Sequence, residues 1–280
     1  METTGERFLP EWMGILKFEH LNRYYFVVNQ LDLKNKRVLD IASGEGYGSN
    51  ILSKYAESVI GVDISNEAIE HAQKTYKKKN LKYIQGDAAL IPLEDNSIDI
   101  VTSFETIEHH DKHHEMMSEI KRVLKSNGVL IISSPDKYYY SDVNQSSNKF
   151  HIKELYYDEF RKLISIHFNK TFFFSQRTIT GSIIALDQGY NSYNKPLVVN
   201  QFGEEHSLYP LYNIAIATNN IHFELQEQII FYSETDNAIT DIEEARYLKE
   251  IEIKKTITWR VGKFILWPAK FLKKQTRSLV

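Results

Sequence analysis

Short apolar runs alternate with segments of helical spacing through the first two-thirds of this 280-residue chain. The runs are rich in Val, Ile, Leu and Phe and are bounded by Gly, Asn, Asp or Ser, a pattern typical of buried strands. Strands that alternate with helices favour a parallel α/β sheet. The predicted strands are Arg37–Ala42, Ser58–Asp63, Leu81–Gln85, Ile98–Phe104, Gly128–Ser134, Lys170–Gln176 and Leu211–Ala217.

The segments between these strands have the spacing of amphipathic helices. A polar insertion, Asp187–His206, contains Asn and Gly and is predicted to be a loop between the last two strands. Seven strands, with the last two paired differently from the others, would complete a doubly wound, Rossmann-like sheet. The predicted helices are Asn50–Tyr55, Asn66–Lys78, His113–Leu124 and Lys153–Ile166.

The chain beyond the seventh predicted strand has a different pattern. Thr235–Ile251 has helical spacing with acidic residues early and Lys249 late, and this favours a surface helix. We therefore predict one domain at residues 1–220, a helical extension at 221–252 and a basic tail at 253–280.

The composition excludes several classes of protein and site. The chain has no cysteine, which excludes disulfides, thiolate metal ligands and cysteine nucleophiles. The N-terminal residues include Glu2 and Glu6 and form no apolar core, so they do not resemble a secretory signal. No apolar run approaches the length of a membrane span. These features lead us to expect a cytoplasmic protein.

The charge of the chain is distributed unevenly. The whole chain holds 34 basic and 37 acidic side chains, a net charge of −3. The basic tail contributes 8 of the basic residues and no acidic residue, which leaves 26 basic and 37 acidic residues, or −11, for residues 1–252. An acidic body is poor evidence for a nucleic-acid enzyme, so no nucleic-acid partner is predicted.

The basic tail separates into two faces when it is placed on a helix. Ile257, Val261 and Phe264 lie on the apolar face, and Arg260 and Lys263 lie on the opposite, basic face. A basic amphipathic helix that also contains tryptophans is typical of membrane-surface binding. The alternative is docking on an acidic partner or on the acidic body of the same chain. We expect peripheral association with the inner face of the cell membrane or with an assembly partner.

The most informative motif is VLDIASGEGYGS, which runs from a predicted strand through a glycine loop into a helix. Such a loop lets the backbone approach a ligand and directs helix N–H groups at it. Ser49 stands where a dinucleotide-binding loop would have its third glycine. Asp40, just before the loop, would repel a pyrophosphate and attract a sulfonium or ammonium group. The motif therefore favours a cationic nucleoside over a dinucleotide.

Two acidic residues follow the next two strands. Asp63 ends the second strand, where a carboxylate can accept hydrogen bonds from both hydroxyls of a ribose. Its alternative role is a helix N-cap, which Ser65 could fill instead. Asp87 follows the third strand, where it can bond an exocyclic amine of a base while Ala88 offers its backbone N–H to a ring nitrogen. A simple turn is the alternative for Asp87.

Together with SFETIEHH after the fourth strand, these motifs resemble the class I S-adenosylmethionine-dependent methyltransferases, and the likeness covers roughly Thr4 to Ala217. The resemblance implies a sheet ordered 3-2-1-4-5-7-6 with S-adenosylmethionine over the carboxyl ends of its strands. It implies that the amino-acid end of the cofactor is held by Asp40, Gly44 and Gly46, and that the ribose is held by Asp63. It also implies that Asp87 and Ala88 bind the adenine, and that Phe104 and Glu105 line the methyl-donor side. Ala42 and Ile64 complete the predicted cofactor contacts.

A hydroxyl acceptor would need a base to take its proton. The candidates lie in the loops after the fourth and fifth strands and are Glu108, His109, His110, Asp136 and His151, and all of these except His110 are assigned a catalytic role. The run EHHDKHHE also contains histidine pairs at helical spacing that could bind a metal. We interpret it instead as a polar loop entering a solvated helix, with at most one histidine facing the acceptor and no metal site.

Three further segments, TGERFLPE, SSPDKYYYSD and NKFHIKEL, resemble methyltransferases encoded with O-antigen and other surface-polysaccharide enzymes. The resemblance implies methylation of a sugar hydroxyl, with Tyr140 and His151 above the methyl donor. Asparagine is more common than aspartate at the Asp136 position in those relatives. The alternatives are an amine or lipid-like acceptor, a nicotinamide-dependent oxidoreductase and an inactive scaffold.

Overall fold

A nine-stranded mixed sheet forms the centre of the computed structural model. The structure describes residues 15–145, 147–178, 182–186, 197–199, 205–207, 210–226 and 229–232. Within these residues the strands are β1 (Arg37–Ile41), β2 (Ser58–Asp63), β3 (Leu81–Gln85), β4 (Ile98–Ser103), β5 (Leu124–Pro135), β6 (Lys170–Thr178), β7 (Ser182–Leu186), β8 (Leu197–Val199), β9 (Glu205–Ser207), β10 (Tyr212–Thr218) and β11 (Ile229–Tyr232).

The order of the strands confirms the predicted topology. Across the sheet the order is β11-β7-β6-β10-β5-β4-β1-β2-β3. Strands β1 to β5 are parallel, and β10 runs antiparallel to both β5 and β6. With β6 and β10 counted as the sixth and seventh strands, the core of the sheet has the order 3-2-1-4-5-7-6. The carboxyl ends of β1 to β5 therefore meet at one edge, where doubly wound sheets bind ligands.

Helices cover the sheet on both faces because successive strand residues point to opposite sides. The helices are α1 (Ile15–Gln30), α2 (Tyr47–Leu52), α3 (Asn66–Thr75), α4 (His113–Val123) and α5 (Tyr157–His167). Val38 belongs to the cluster that packs with α1, α2 and α3, whereas its neighbour Leu39 belongs to the cluster that packs with α4 and α5. Both side chains are fully buried.

Local chemistry explains where the helices differ from the predicted bounds. Helix α2 begins three residues earlier than predicted because Gly46, with φ +86°, turns the chain at once from the loop into the helix. Helix α5 begins four residues later than predicted, at Tyr157, because the Glu159 carboxylate accepts the N–H of Tyr156 at 3.0 Å and fixes the first turn there.

The edge of the sheet beyond β6 was not predicted. The segment predicted as the loop Asp187–His206 contains β8, and its last two residues belong to β9, which pairs with β8. Strands β7 and β11 extend the main sheet, so a strand lies within the predicted helical extension at 221–252. These edge strands are short, and a short apolar run predicts a strand weakly.

Several predicted features lie outside the described residues. They are the N-terminal segment TGERFLPE, the helix Thr235–Ile251 and the basic tail. None of the helices in the described part of the chain is long and apolar enough to cross a membrane.

Candidate functional site

A cavity of about 900 Å³ opens at the carboxyl ends of strands β1 to β4. Three of the predicted site residues, Asp40, Gly46 and Asp136, do not line this cavity. The predicted residues that do line it are Ala42, Gly44, Asp63, Ile64, Asp87, Ala88, Phe104, Glu105, Glu108, His109 and His151.

The two glycines of the loop after β1 have different roles. Gly44 has φ +51°, and a Cβ atom built there would meet no other atom within 4 Å, so its backbone faces open space. Gly46 is enclosed, since a Cβ atom there would lie 2.7 Å from Ala72 Cβ and from the Tyr83 hydroxyl. That hydroxyl donates to the Gly46 carbonyl at 2.7 Å. Gly44 is therefore where a ligand can approach the backbone, and Gly46 shapes the turn beneath it.

Asp40 does not line the cavity and is hydrogen-bonded to residues around the loop, so its predicted contact with the amino-acid end of the cofactor stays a prediction. It is fully buried, and its carboxylate accepts hydrogen bonds from the hydroxyls of Ser49 (2.6 Å), Thr102 (2.9 Å) and Tyr24 (3.2 Å). Burial raises the pKa of Asp40 to about 6, although these three hydrogen bonds oppose the rise. Ser49, noted in the sequence as a departure from dinucleotide-binding loops, holds this carboxylate.

Asp63 and Asp87 both present carboxylate oxygens to the cavity. The two oxygens of Asp63 accept the N–H groups of Gly44 and Ser65, each at 2.9 Å. One oxygen of Asp87 accepts the N–H of Ala89 at 2.8 Å. A carboxylate can accept about four hydrogen bonds, so both groups keep capacity for a ligand. Ser65 caps α3 through the N–H of Ala68, so Asp63 is not needed as the cap.

These groups fit the nucleoside part of S-adenosylmethionine. The carboxylate of Asp63 can accept ribose hydroxyls, and that of Asp87 can accept an exocyclic amine. Ile64, which is 69% exposed beside Asp63, offers an apolar surface for a base. Gly44 leaves open space where a ligand can approach the backbone. The arrangement supports the predicted assignment, although the role of each residue stays a prediction.

A buried network from α1, which the sequence reasoning missed, fixes Glu105 at the cavity. Arg23 lies 3.5 Å from the Glu105 carboxylate, and its guanidinium covers the ring of Tyr212 at 4.3 Å. Ser133 donates to the same carboxylate at 2.6 Å. Arg23 is 1% exposed, and Gln176 accepts its Nε–H at 2.8 Å. The sequence contains no clear signal for this network, because the buried side of α1 also holds Glu19 and Asn22.

Glu108, His109 and His151 form a second polar group in the cavity. One ligand-type atom from each lies within 4.8 Å of the others. Glu108 is 1% exposed, and its Oε2 atom has no hydrogen-bond partner among the described residues. Burial and the nearby charge of Glu105 raise the pKa of Glu108 well above its ordinary value. The fold therefore brings together three of the four predicted catalytic residues.

The imidazoles of His109 and His151 are each oriented by a contact at their Nδ1 atom. His109 Nδ1 lies 3.1 Å from the carbonyl of Phe150, and His151 Nδ1 lies 2.5 Å from the carboxylate of Glu154. Both contacts favour the tautomer in which Nδ1 carries the proton and Nε2 keeps its lone pair. The ring of Tyr140 stacks on His151 at 5.5 Å, and both residues line the cavity.

The fourth predicted catalytic residue, Asp136, is buried and hydrogen-bonded away from the cavity lining, and its role as a base stays a prediction. It is 2% exposed, and one carboxylate oxygen accepts the N–H groups of Tyr138 and Tyr139. The other oxygen accepts the side-chain amide of Asn213 at 3.1 Å. Its carboxylate thus holds the start of the turn Tyr138–Asp142 and does not reach the cavity.

The histidine-rich run is not a continuous helix, in agreement with the prediction. A short turn at Ile107–His109 is followed by α4, which begins at His113. Both His109 and His110 line the cavity, and the expectation that at most one of them faces the acceptor stays a prediction. The two ring nitrogens of His110 have no hydrogen-bond partner among the described residues.

Comparison with known proteins places part of the site within a family domain. Residues 39–132 match the family model described as a methyltransferase domain. The matched segment runs from β1 into β5 and includes the glycine loop, both strand-end carboxylates and the Glu108–His109 pair. His151 and Asp136 lie outside it.

Two curated proteins are similar to parts of the chain. A probable S-adenosylmethionine-dependent methyltransferase of Mycolicibacterium smegmatis is 32% identical over 165 residues, which cover 58% of this chain and 62% of that protein. Phthiotriol/phenolphthiotriol dimycocerosates methyltransferase 1 of Mycobacterium ulcerans is 30% identical over 115 residues, which cover 40% of this chain and 42% of that protein. The chain thus spans about three fifths of the length of the first relative and about two fifths of the second.

A solved structure shows the same fold. The crystal structure of an S-adenosylmethionine-dependent methyltransferase of Thermotoga maritima, described as a possible histamine N-methyltransferase, superposes with a TM-score of 0.54. It is 19% identical, and the alignment covers 74% of this chain and 91% of that protein. The matched domain and the fold together imply S-adenosylmethionine as the cofactor.

Proposed function

We propose that this chain, which carries a class I S-adenosylmethionine-dependent methyltransferase domain, methylates a hydroxyl of a surface-polysaccharide sugar or of its precursor. The observation that carries the proposal is the group formed by Glu108, His109 and His151, in the same cavity as Asp63 and Asp87. One cavity thus holds groups suited to a nucleoside and groups suited to accepting a proton.

The cofactor supplies a methyl group that is already electrophilic because it is attached to a sulfonium sulfur. The protein therefore has mainly to position the two reactants in line, which is a large part of the rate enhancement in such reactions. Asp63 and Asp87 would orient the nucleoside, and the Arg23 network would hold Glu105 beside the methyl-donor side.

Proton removal distinguishes a hydroxyl acceptor from an amine. A hydroxyl must lose its proton as it is methylated, whereas a neutral amine needs less assistance. His151 suits this role because Glu154 holds its Nδ1, which leaves the lone pair on Nε2. The amide nitrogen of Asn148 lies 3.0 Å from Nε2, so an acceptor hydroxyl would take the place of that amide. His109, oriented by the Phe150 carbonyl, is the second candidate base.

The aromatic side chains of the cavity support a sugar acceptor. The rings of Tyr140 and Tyr212 lie 6.0 Å apart, and Tyr140 also stacks on His151. Aromatic faces beside an imidazole suit a ring that carries hydroxyls. The sequence resemblance to polysaccharide-assembly methyltransferases supports the same class.

Other acceptors and reactions are compatible with the domain to different degrees. The Mycobacterium ulcerans relative is named for phthiotriol and phenolphthiotriol dimycocerosates, which favours a lipid-like acceptor as the second candidate. An amine acceptor would make less use of the two oriented imidazoles. A nicotinamide-dependent oxidoreductase fits less well because Ser49 replaces the third loop glycine, and the Ser49 hydroxyl donates to Asp40.

The test is a methyl-transfer assay with labelled S-adenosylmethionine on nucleotide sugars and lipid-linked glycans, each paired with its amino-sugar counterpart. We expect transfer to the hydroxyl member of a pair. Asp63→Ala should weaken binding of S-adenosylhomocysteine in calorimetry at least tenfold, since a charge-assisted hydrogen bond contributes roughly 1.5–3 kcal/mol. Asp158→Ala, an exposed acid on α5, is the matched control and should bind normally.

Three results would contradict the proposal. Transfer to amines alone would exclude the hydroxyl acceptor, and transfer to lipid hydroxyls alone would favour the second candidate. Unchanged S-adenosylhomocysteine affinity in Asp63→Ala would show that the nucleoside assignment is wrong.

A further inference from the structure

We propose that Glu108, His109 and His151 bind a divalent cation of the first transition row on the acceptor side of the cavity. The three residues offer one carboxylate and two imidazoles, with one ligand atom from each lying within 4.8 Å of the others. This donor set, with further coordination positions open, suits divalent transition metals such as Fe²⁺ or Zn²⁺. All three side chains line the cavity, so the open positions would face a ligand.

The environment of Glu108 provides the first independent support. Its side chain is 1% exposed, yet Oε2 has no hydrogen-bond partner among the described residues. The nearest cationic candidate, His109 Nε2, lies 4.0 Å from Oε1, too far for a hydrogen bond. Arg23 is engaged with Glu105 instead. Buried carboxylates are normally paired or bound to a metal, and a cation would supply the missing partner.

The orientation of the imidazoles provides the second support. A metal-binding histidine usually donates its other ring N–H to a carboxylate or a backbone carbonyl. His151 Nδ1 lies at hydrogen-bond distance from the Glu154 carboxylate, and His109 Nδ1 lies at hydrogen-bond distance from the Phe150 carbonyl. Both rings then keep a lone pair on Nε2. A cation would replace the present contact between His151 Nε2 and the amide of Asn148.

Backbone hydrogen bonds join the two segments that carry these side chains. The carbonyl of Glu108 accepts the N–H groups of Ile152 at 2.8 Å and Lys153 at 3.0 Å. The turn after β4 and the loop that holds His151 are therefore fixed to each other. Such fixed spacing reduces the cost of assembling a metal site from distant parts of the sequence.

This inference deepens the proposed function and, in its catalytic part, rests on it. A bound cation would coordinate the acceptor hydroxyl and lower its pKa, and the released proton would pass to water. His109 and His151 would then act as ligands, so the cation would take over the role proposed above for a histidine base. Binding of the cation itself does not depend on which acceptor is used.

The experiment is a titration of the full-length, metal-stripped protein with Co²⁺, followed by visible absorption and by equilibrium dialysis with metal analysis. We expect one tightly bound Co²⁺ per chain. Glu108→Gln should lower the affinity at least tenfold, because it keeps the shape of the side chain but removes its charge. His109→Asn is a second variant at a partly exposed position, in case the buried substitution disturbs folding.

The matched control is His114→Ala. His114 and His167 form a pair on the surface, with Nδ1 and Nε2 3.3 Å apart, and such a pair can bind transition metals non-specifically. The proposal is overturned if His114→Ala abolishes Co²⁺ binding, or if folded Glu108→Gln and His109→Asn both bind Co²⁺ like wild type. Tight Co²⁺ binding without transfer to any hydroxyl would refute the proposed function but keep the metal site. Transfer by protein that binds no cation would refute the metal site alone.

Discussion

At the scale of single residues, Asp40 should make the stability of the protein depend on pH. Burial raises its pKa from an ordinary 3.8 to about 6, so the folded state holds a proton that the unfolded state has lost between these pH values. The free energy of unfolding should therefore fall as the pH rises from 4 to 7. A shift of about two pKa units corresponds to about 3 kcal/mol. The difference in the free energy of unfolding between Asp40→Asn and wild type should shift by that amount in favour of the variant between pH 4 and 7, as measured by urea unfolding.

Asp99 serves as the control for this measurement. Partial burial disfavours its charge, but the hydrogen bonds from Lys125 (2.8 Å) and the N–H of Arg37 (2.9 Å) outweigh burial and lower its pKa. Its stabilising effect is complete above the unfolded pKa and is lost only as the pH falls below it. The difference between Asp99→Asn and wild type should thus stay constant from pH 5 to 7. A constant difference for Asp40→Asn as well would contradict the assignment.

The location of a site residue could be predicted where it follows directly from the residue's position at the end of a strand. Asp63 and Asp87 follow parallel strands, whose carboxyl ends share one edge of the sheet, so both were expected at the cavity. The buried environment of Asp40 was not predicted, because its partners, Ser49, Thr102 and Tyr24, come from three other elements. No local pattern predicts that three hydroxyls will surround one carboxylate.

At the scale of elements, the contact between α1 and α2 depends on Gly48. A Cβ atom at this position would lie 1.8 Å from Cζ of Tyr24 in α1, far inside contact distance. The rings of Tyr47 and Phe104 also pack edge-to-face with the Tyr24 ring, at centroid distances of 5.4 and 5.1 Å, so it has little room to move. Gly48→Ala should lower the free energy of unfolding by about 1–3 kcal/mol or more, measured by urea unfolding, although alanine favours helices.

A double-mutant cycle separates this clash from a general effect of the substitution. The cost of Gly48→Ala should largely disappear when Tyr24 is first replaced by alanine, because the opposing ring is gone. Gly44→Ala is the comparison within the loop. Its Cβ would meet nothing within 4 Å, so it should cost only the strain of φ +51°, about 1–2 kcal/mol. Equal costs for Gly48→Ala with and without Tyr24 would refute the packing explanation.

The elements themselves were predictable to different degrees. Strands β2 and β3 have the predicted bounds, since apolar runs bounded by polar residues determine them locally. Strands β7 and β11 were missed because each is a short run near the far edge of the sheet. Pairing with neighbouring strands determines their extended conformation, which their own sequences predict only weakly. The site was little affected, because it depends on the parallel half of the sheet.

At the scale of the whole molecule, the cavity combines segments that are distant in the sequence. Glu108 follows β4, whereas His151 follows the turn after β5, and Arg23 reaches Glu105 from α1. The strand order brings the first two segments together, because β4 and β5 are neighbours. The residues around the glycine loop were predictable from motifs. Glu108, His109 and His151 were also named from the sequence, but only the placed loops show that one ligand-type atom from each lies within 4.8 Å of the others.

The basic tail at 253–280 lies outside the described residues, and its sequence leads to a proposal for the whole protein. We propose that it holds the protein at an anionic membrane surface, near lipid-linked acceptors. Its sequence holds eight basic residues and no acidic residue, and on a helix six of the eight would lie opposite an apolar face. Charge and burial would therefore act together, and each basic residue near such a surface contributes about 1 kcal/mol. Docking on an acidic protein partner is the alternative.

Co-sedimentation with anionic liposomes tests this proposal, with the full chain compared with a chain that ends at Ile251. Only the full chain should sediment, and added salt should release it because the attraction is screened. Replacing Lys263, Lys270 and Lys273 by Gln should weaken binding while the apolar face stays intact. The shortened chain should still bind S-adenosylhomocysteine, because the cofactor groups lie in the preceding domain. Equal sedimentation of both chains, or none at low salt, would instead favour docking on protein.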